Sequence, residues 1–556
     1  MRDSASTWTR REQTIGIGSV FWAAAVLLVG VLLTLSVPAS AQEPEAPAIS
    51  ETYDVRVVNV EAVVTDRQGN RIMGLGPEDF TLLVDGQEVD VDYFSEIRGG
   101  RALDEAAASI DADPIAGGEA VGTNYLVFID NFFTIKADRQ RVLRDMQEQL
   151  GVLQPEDRMA IVSWDGRGLA MHSSWTGSER ALWRAFTDAM SLPARGLERE
   201  AELRQFEFAS FGTLRRFTVA GRRFDITERA YADRLTYQVN RLVDSASATL
   251  RSFANPEGRK VMLLVSGGWP YGPADFAAGN TFDAQIEGFF DSGDTLYGPL
   301  VETANLVGYT LYPIDAPGVD RDFADASLNS FQSARRRQVS FFREWDRHTS
   351  LRYLAQETGG RALIDGARTR GLESAYEDTR SYYWLGFDAE RLQDGRRRSI
   401  ELRVDLPKVK VRTRSGYTDL SSRQEVALSV ESALLFGNAP VDQTVEIELG
   451  QGRDLRWGKV EVPLTVRIPV EQLALFPVAD GQYVGEVEIR LAVKDGAGNR
   501  SEIPAIPLRF ERSGAKDGVV EYTTTLKMRD RKHDLAVAVY EPASGRIFST
   551  LATVGP

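Results

Sequence analysis

The sequence predicts a multidomain chain in which a central α/β domain with a mostly parallel sheet is flanked by all-β, sandwich-like segments. Three observations lead there. Between Tyr125 and Ile314, short apolar runs alternate with stretches of helical periodicity, as strands and covering helices do around a parallel sheet. Before that span, from Tyr53, and after it, from about Arg380, apolar residues alternate with polar ones between turn clusters, the pattern of antiparallel strands. At 556 residues the chain has room for about three or four domains of ordinary size.

The elements follow in order. Arg2, Arg10 and Arg11 precede an apolar run from Ile15 to Val37, and Ala39-Ser40-Ala41 then offers a small-x-small cleavage pattern. Residues 1–41 read as a secretory signal peptide; the run is also long enough to span a bilayer, so an uncleaved anchor is the alternative. Either way the chain is expected to be exported, to the periplasm, envelope or exterior, with membrane contact only through this segment. Residues 42–52 form a flexible lead-in.

Residues 53–98 carry strand alternation at Val55, Val57, Val58, Val60, Ala62 and Val64, a turn at Asp66–Asn70, and further strand signals at Phe80–Val84 and Val89–Val91. Residues 99–122, rich in Gly, Ala and Asp, read as a linker.

The α/β domain is placed at 123–379, with strands at Tyr125–Ile129, Met159–Trp164, Val261–Ser266 and Tyr309–Ile314. A first helix from about Asp138 presents Val142, Met146 and Leu150. A longer one aligns Tyr231, Leu235, Val239, Leu242, Ala246, Leu250 and Phe253, and stops at Asn255-Pro256-Glu257-Gly258. A third, from about Leu351 to Thr358, ends at Gly359-Gly360. The polar stretch 326–347, with Arg335-Arg336-Arg337, reads as a solvated loop insertion.

Strands resume over 380–420. Neither that segment nor 53–98 has enough strands to bury a face alone, so pairing across the α/β segment would complete both. Residues 425–556 read as strand throughout, a C-terminal β-sandwich.

Composition narrows the chemistry. There are no cysteines, which excludes disulfides, thiol nucleophiles and Cys-ligated zinc. The three histidines, His172, His348 and His533, are scattered, which argues against a His-rich metalloenzyme. A formal charge of -15 argues against nucleic-acid backbone binding.

Several stretches together resemble the von Willebrand factor A-related proteins of acidobacterial type. They are VNVEAVVTDRQGNRIMGLGPEDFTLLVDGQ at 58–87, NYLVFIDNFFT at 124–134, GRKVMLLVSGGW at 258–269, YTLYPIDAPG at 309–318, LAQETGGRAL at 354–363, SYYWLGFDAE at 381–390 and VKVRTRSGYTDL at 409–420. The resemblance spans roughly 53–420. It implies a von Willebrand factor A-like α/β fold and a Mg²⁺ site at the carboxyl edge of the sheet, through which a partner's acidic side chain is bound.

The family's ligands are Asp-x-Ser-x-Ser after the first strand, a Thr from a second loop, and an Asp after the central strand. Here Asp130 matches and Thr134 matches in chemistry, while Phe132 stands at the first Ser and Gly267 at the second Asp. The second-loop Thr is not identifiable among Thr213, Thr218 and Thr227. Asp165 and Asp315 are expected to serve strand-end turns.

The expectation is a degenerate site with no metal and no other cofactor. Asp130, Asn131, Phe132, Thr134, Ser266 and Trp269 are the candidate binding residues. Phe132 and Phe133 either pack into the edge or anchor a partner. The expected function is exported, non-catalytic binding of a protein partner. The alternatives are an envelope scaffold or a hydrolase at the sheet edge, although Ser266 lacks the glycine two residues earlier that a nucleophile elbow requires.

Overall fold

The computed structural model describes most of the chain from Val55 to Gly555. Outside the described residues lie 1–54, 104–117, 119, 213–215, 220–221, 255–257, 280–290, 319–329, 391–393, much of 422–442, and the short pieces 479–481, 496–500, 502, 514–517, 545 and 556. The signal segment, the lead-in and most of the linker fall there. The chain divides into Met1–Tyr53 and Asp54–Pro556.

The first strands are β1 (Val55–Thr65), β2 (Phe80–Val84), β3 (Gln87–Val89), β4 (Tyr93–Arg98) and β5 (Arg101–Ala102). The α/β segment follows. It comprises β6 (Thr123–Asp130), α1 (Lys136–Glu148), β7 (Arg158–Trp164), β8 (Leu169–Thr176), α2 (Glu179–Ser191), α3 (Gly196–Gly212), the hairpin β9 (Arg216–Val219) and β10 (Arg222–Asp225), α4 (Ile226–Ser252), β11 (Arg259–Ser266), α5 (Pro273–Ala278), α6 (Gly293–Leu306), β12 (Tyr309–Asp315), α7 (Ser330–Glu357) and α8 (Gly371–Thr379). Four more strands come next, β13 (Tyr382–Glu390), β14 (Arg397–Val404), β15 (Lys410–Arg412) and β16 (Gly416–Thr418).

In the central sheet the order is β12-β11-β6-β7-β8, parallel except for β8, which runs antiparallel at one edge. The apolar strand runs are continuous because both faces are covered. On β6, Tyr125, Val127 and Ile129 face one core with α1, α2 and α8; Leu126 and Phe128 face the other, with α4 and α6. The result is three layers. The chain leaves β6 for β7 and β8, then returns to β11 on the other side, so direction reverses between β6 and β11. Open α/β sheets bind ligands at the carboxyl ends beside such a reversal. Asp130 and Ser266 sit there.

The strands flanking this domain in sequence join each other. β1 pairs antiparallel with β13, Val55 opposite Glu390 and Ala62 opposite Tyr383, and also with β15. The sheets β15-β1-β13-β4-β5 and β16-β14-β2-β3 close over one core that includes Val60, Leu82, Tyr383, Leu385, Ile400 and Leu402.

Beyond residue 425 two sheets share a second β core. β20 (Lys459–Pro469) lies between β18 (Glu446–Leu449), β19 (Arg453–Leu455) and β24 (Val519–Arg529). The facing sheet joins β17 (Gln443–Thr444), β21 (Phe476–Pro477), β22 (Gln482–Asp495), β23 (Ala505–Ser513), β25 (His533–Tyr540) and β26 (Ile547–Val554). Leu464, Val466, Ile489, Val537 and Phe548 meet between them.

Two expectations are corrected. The polar stretch read as a loop over 326–347 is helical from Ser330, as part of α7. It lacks Gly and Pro, and the residues buried between Arg343 and Ser350 are polar: Arg343, Asp346, His348 and Ser350. Apolar periodicity cannot register such a face. The segment after 425, read as strand throughout, has helical backbone at 426–428 and 430, and Val426, Val430 and Leu434 pack on Ala492, Ala536 and Tyr540. Their four-residue spacing is a helix signal.

Candidate functional site

The loop after β6 turns on Asp130. Its Oδ1 accepts the backbone N–H groups of Phe132 at 2.8 Å and Phe133 at 3.1 Å, and its Oδ2 accepts the indole N–H of Trp269 at 2.9 Å. Both oxygens are thus engaged by protein donors, and the residue has no exposed surface. Burial pushes the Asp130 carboxyl up to about 6, against the opposing pull of Trp269 and the backbone donors.

The rest of the loop is clamped. Asn131 accepts from the guanidinium of buried Arg139, which also donates to the carbonyls of Met190 at 3.0 Å and Leu192 at 2.8 Å. Desolvation lowers that guanidinium to about 10. Arg195 N–H reaches the Asn131 carbonyl at 2.7 Å and Gly196 N–H the Thr134 carbonyl at 3.1 Å, so the start of α3 lies over the loop. Phe132 packs against Phe133 and Trp164 at ring separations of 5.0 and 5.3 Å, with the Arg199 guanidinium 4.4 Å from its ring centre.

Ser266, Gly267 and Gly268 close the opposite side. Ser266 Oγ is buried and accepts Gly268 N–H at 2.9 Å. A Cβ on Gly267 would lie 2.4 Å from the Phe133 carbonyl and 2.6 Å from Thr134 N. No side chain fits there unless the loop moves. Gly268 needs its left-handed φ of 86°, with Arg347 packed against it. Trp269 is wholly buried, stacked on Tyr297 at 6.0 Å, and its carbonyl accepts from Ser350 Oγ at 2.8 Å.

The six residues picked from sequence therefore converge on one edge, five of them buried and Phe132 half-buried. A buried indole offers a partner no surface. Asp165 closes a turn by accepting from Arg167 and Gly168 N–H at 2.8 and 2.9 Å. Asp315 accepts from Gly318 N–H at 3.1 Å and also faces His348 Nε2 at 3.3 Å. Of the threonines considered for the second loop, Thr213 lies outside the described residues and Thr218 is in β9.

These residues do not fit a Mg²⁺ ion, which wants an octahedron of oxygens. The Thr134 hydroxyl is buried without a hydrogen-bond partner and is the single unengaged oxygen of the set. Asp130 is saturated, Phe132 has no ligand atom, and Gly267 has no room for a carboxylate.

Sequence reading missed Arg139, Gly196, Arg199 and Asp346. Asp346 accepts the Tyr271 and Gly272 N–H groups at 2.8 and 3.0 Å and is pushed up to about 7 by burial. Polar residues on the inner faces of helices carry no periodic signal that would have exposed them.

No family model and no curated protein matches the chain. Solved structures match at low similarity. The vWF domain of the type V pili tip protein Mfa5 from Porphyromonas gingivalis is 14% identical, with 27% of this chain and 38% of that chain covered, at TM-score 0.14. The three N-terminal domains of the same Mfa5 give 12% identity, 71% and 75% coverage and TM-score 0.24. The pilus adhesin SpaC from Lactobacillus rhamnosus GG gives 8% identity, 85% and 60% coverage and TM-score 0.23. Likeness of this degree carries no argument about function.

Proposed function

We propose that the chain is an exported, non-catalytic protein-binding module whose central domain is of the von Willebrand factor A type and works without a bridging metal at Asp130. The family reading is supported by the sequence resemblance over 53–420 together with the sheet order and its single antiparallel edge strand. Export rests on residues 1–41.

One observation carries the metal-independent part: the Trp269 indole N–H occupies Asp130 Oδ2, the oxygen a cation would need, while Gly267 is held against the Phe133 carbonyl. The same burial speaks for a non-catalytic role, since neither Asp130 nor Ser266 reaches solvent where a substrate would sit.

Binding then falls to exposed groups. Trp457, 94% exposed at the tip of the β19–β20 hairpin, is the most exposed large apolar side chain among the described residues. It holds a positive φ of 71°, a costly conformation for a bulky residue and one that points to a use. An indole offers large contact area at small entropic cost, as interface anchors do.

Calorimetric titration of the full chain with Mg²⁺ tests the metal reading. No binding is expected; micromolar binding that disappears in Asp130→Asn would overturn it. Envelope proteins retained by the immobilised chain should stay bound in EDTA and be lost from Trp457→Ser. Wild type retaining nothing would favour an envelope scaffold instead.

A further inference from the structure

We infer that Glu344, His348 and Asp365 form a binding site for a divalent transition-metal ion, of the zinc class, at the carboxyl end of β12. Glu344 and His348 are one turn apart on α7, so their side chains share a face. Asp365 comes from the turn just after Leu363, which is bridged in parallel to Ile314 of β12. One ligand atom from each of the three lies within 4.8 Å of the others.

Two further features point to a cation. First, among the described residues no hydrogen bond or ion pair engages the Glu344 or Asp365 carboxylate, so two carboxylates converge on the imidazole without another partner among those residues. Second, His348 is buried, and its Nε2 lies 3.3 Å from Asp315 Oδ2. A carboxylate behind a ligating imidazole fixes the ring and its tautomer; if Nε2 itself ligates, Asp315 becomes a fourth ligand.

The donor set selects the ion. An imidazole nitrogen with carboxylate oxygens suits Zn²⁺ or a similar first-row ion better than Mg²⁺. Ligand atoms about 2.0 Å from a tetrahedral ion stand roughly 3.3 Å apart, so the cluster must contract somewhat. Asp365 is exposed and free to rotate inward. Water fills the remaining positions. The site shares no residue with the Asp130 loop, and it would tie α7 to the end of β12.

Zn²⁺ titration of the full chain, with Co²⁺ absorption as the spectroscopic probe, decides the matter. The expected result is one ion per chain at micromolar affinity, with a visible Co²⁺ band. Glu344→Gln and Asp365→Asn should each weaken binding at least tenfold while leaving the circular dichroism unchanged, and Asp130→Asn should bind as wild type does. The inference is overturned if wild type binds no Zn²⁺. It is also overturned if either carboxylate variant binds unchanged. A Mg²⁺ site at Asp130 would be lost in Asp130→Asn instead, so the two readings fail separately.

Discussion

Asp130 concentrates what a single residue does here. It is buried, engaged by three donors, and still raised to about 6 from the 3.8 of an unperturbed Asp. Below pH 3.8 it is protonated in both folded and unfolded chains, and its contribution to stability is fully present. As pH climbs through about 6, the folded protein must ionise a buried carboxyl that the unfolded chain ionised earlier, and stability falls across that window. A shift of about two units corresponds to roughly 3 kcal/mol. Urea denaturation of wild type and Asp130→Asn between pH 4 and 7 should differ in slope by an amount of that order. The variant should also be less stable at pH 5, by about 1–3 kcal/mol, because the indole N–H loses its acceptor. Gly267→Asp, which adds a carboxylate beside Asp130, is expected to destabilise by about 3 kcal/mol or more, since its Cβ meets backbone rather than a movable side chain. Mg²⁺ calorimetry of that variant should still show no binding.

At the scale of the element, α7 buries a run of polar groups, Arg343, Asp346, His348 and Ser350, ahead of its apolar Leu351 and Leu354. Asp346 holds the two N–H groups that lead from Trp269 into α5, and Ser350 holds the Trp269 carbonyl. The helix therefore fixes the loop that delivers the indole to Asp130. Asp346→Ala should leave two backbone donors unpaired and cost about 2–4 kcal/mol in urea denaturation. It should also weaken the Trp269–Asp130 bond, visible as a shift in tryptophan fluorescence. α4 buries an apolar stripe along its length, Leu235, Val239, Leu242 and Ala246, which is why apolar spacing revealed it and left the first part of α7 unread.

Across the whole molecule, the β module and the α/β domain are joined by buried charge. Asp378 accepts from Arg412 at 2.8 and 2.9 Å, from Tyr312 at 2.7 Å and from Arg71, and Arg259 pairs with Glu61 at 2.9 Å while lying 4.0 Å from the Tyr382 ring centre. Desolvation of Asp378 is outweighed by the two guanidinium groups, which hold its carboxyl well below the usual range. Its contribution is present above the unfolded value of about 3.8 and is lost as pH falls through the lower folded value. Asp378→Asn should cost about 3–5 kcal/mol at pH 7, because it leaves buried guanidinium groups uncompensated. Calorimetry should then show the cooperative melt of module and domain beginning to separate. A peptide of residues 53–98 alone should give an unfolded circular dichroism spectrum, since β1 has its partners in β13 and β15.

The sequence by itself determined the local grammar. Apolar runs at 125–129, 159–164, 261–266 and 309–314 mark strands buried on both faces, and the shortage of strands in 53–98 shows that the segment needs partners from elsewhere. It also showed that Phe132 and Gly267 carry no side-chain oxygen. What surrounds them was decided only by tertiary structure. That Trp269 donates to Asp130 is a contact between residues 139 positions apart, set by the approach of the β6 and β11 loops. The lack of room at Gly267 is a property of the loop facing it. The meeting of Glu344, His348 and Asp365 depends on where a polar helix face comes to rest. Local propensity and periodicity describe neighbours along the chain, and these sites are made of neighbours in space.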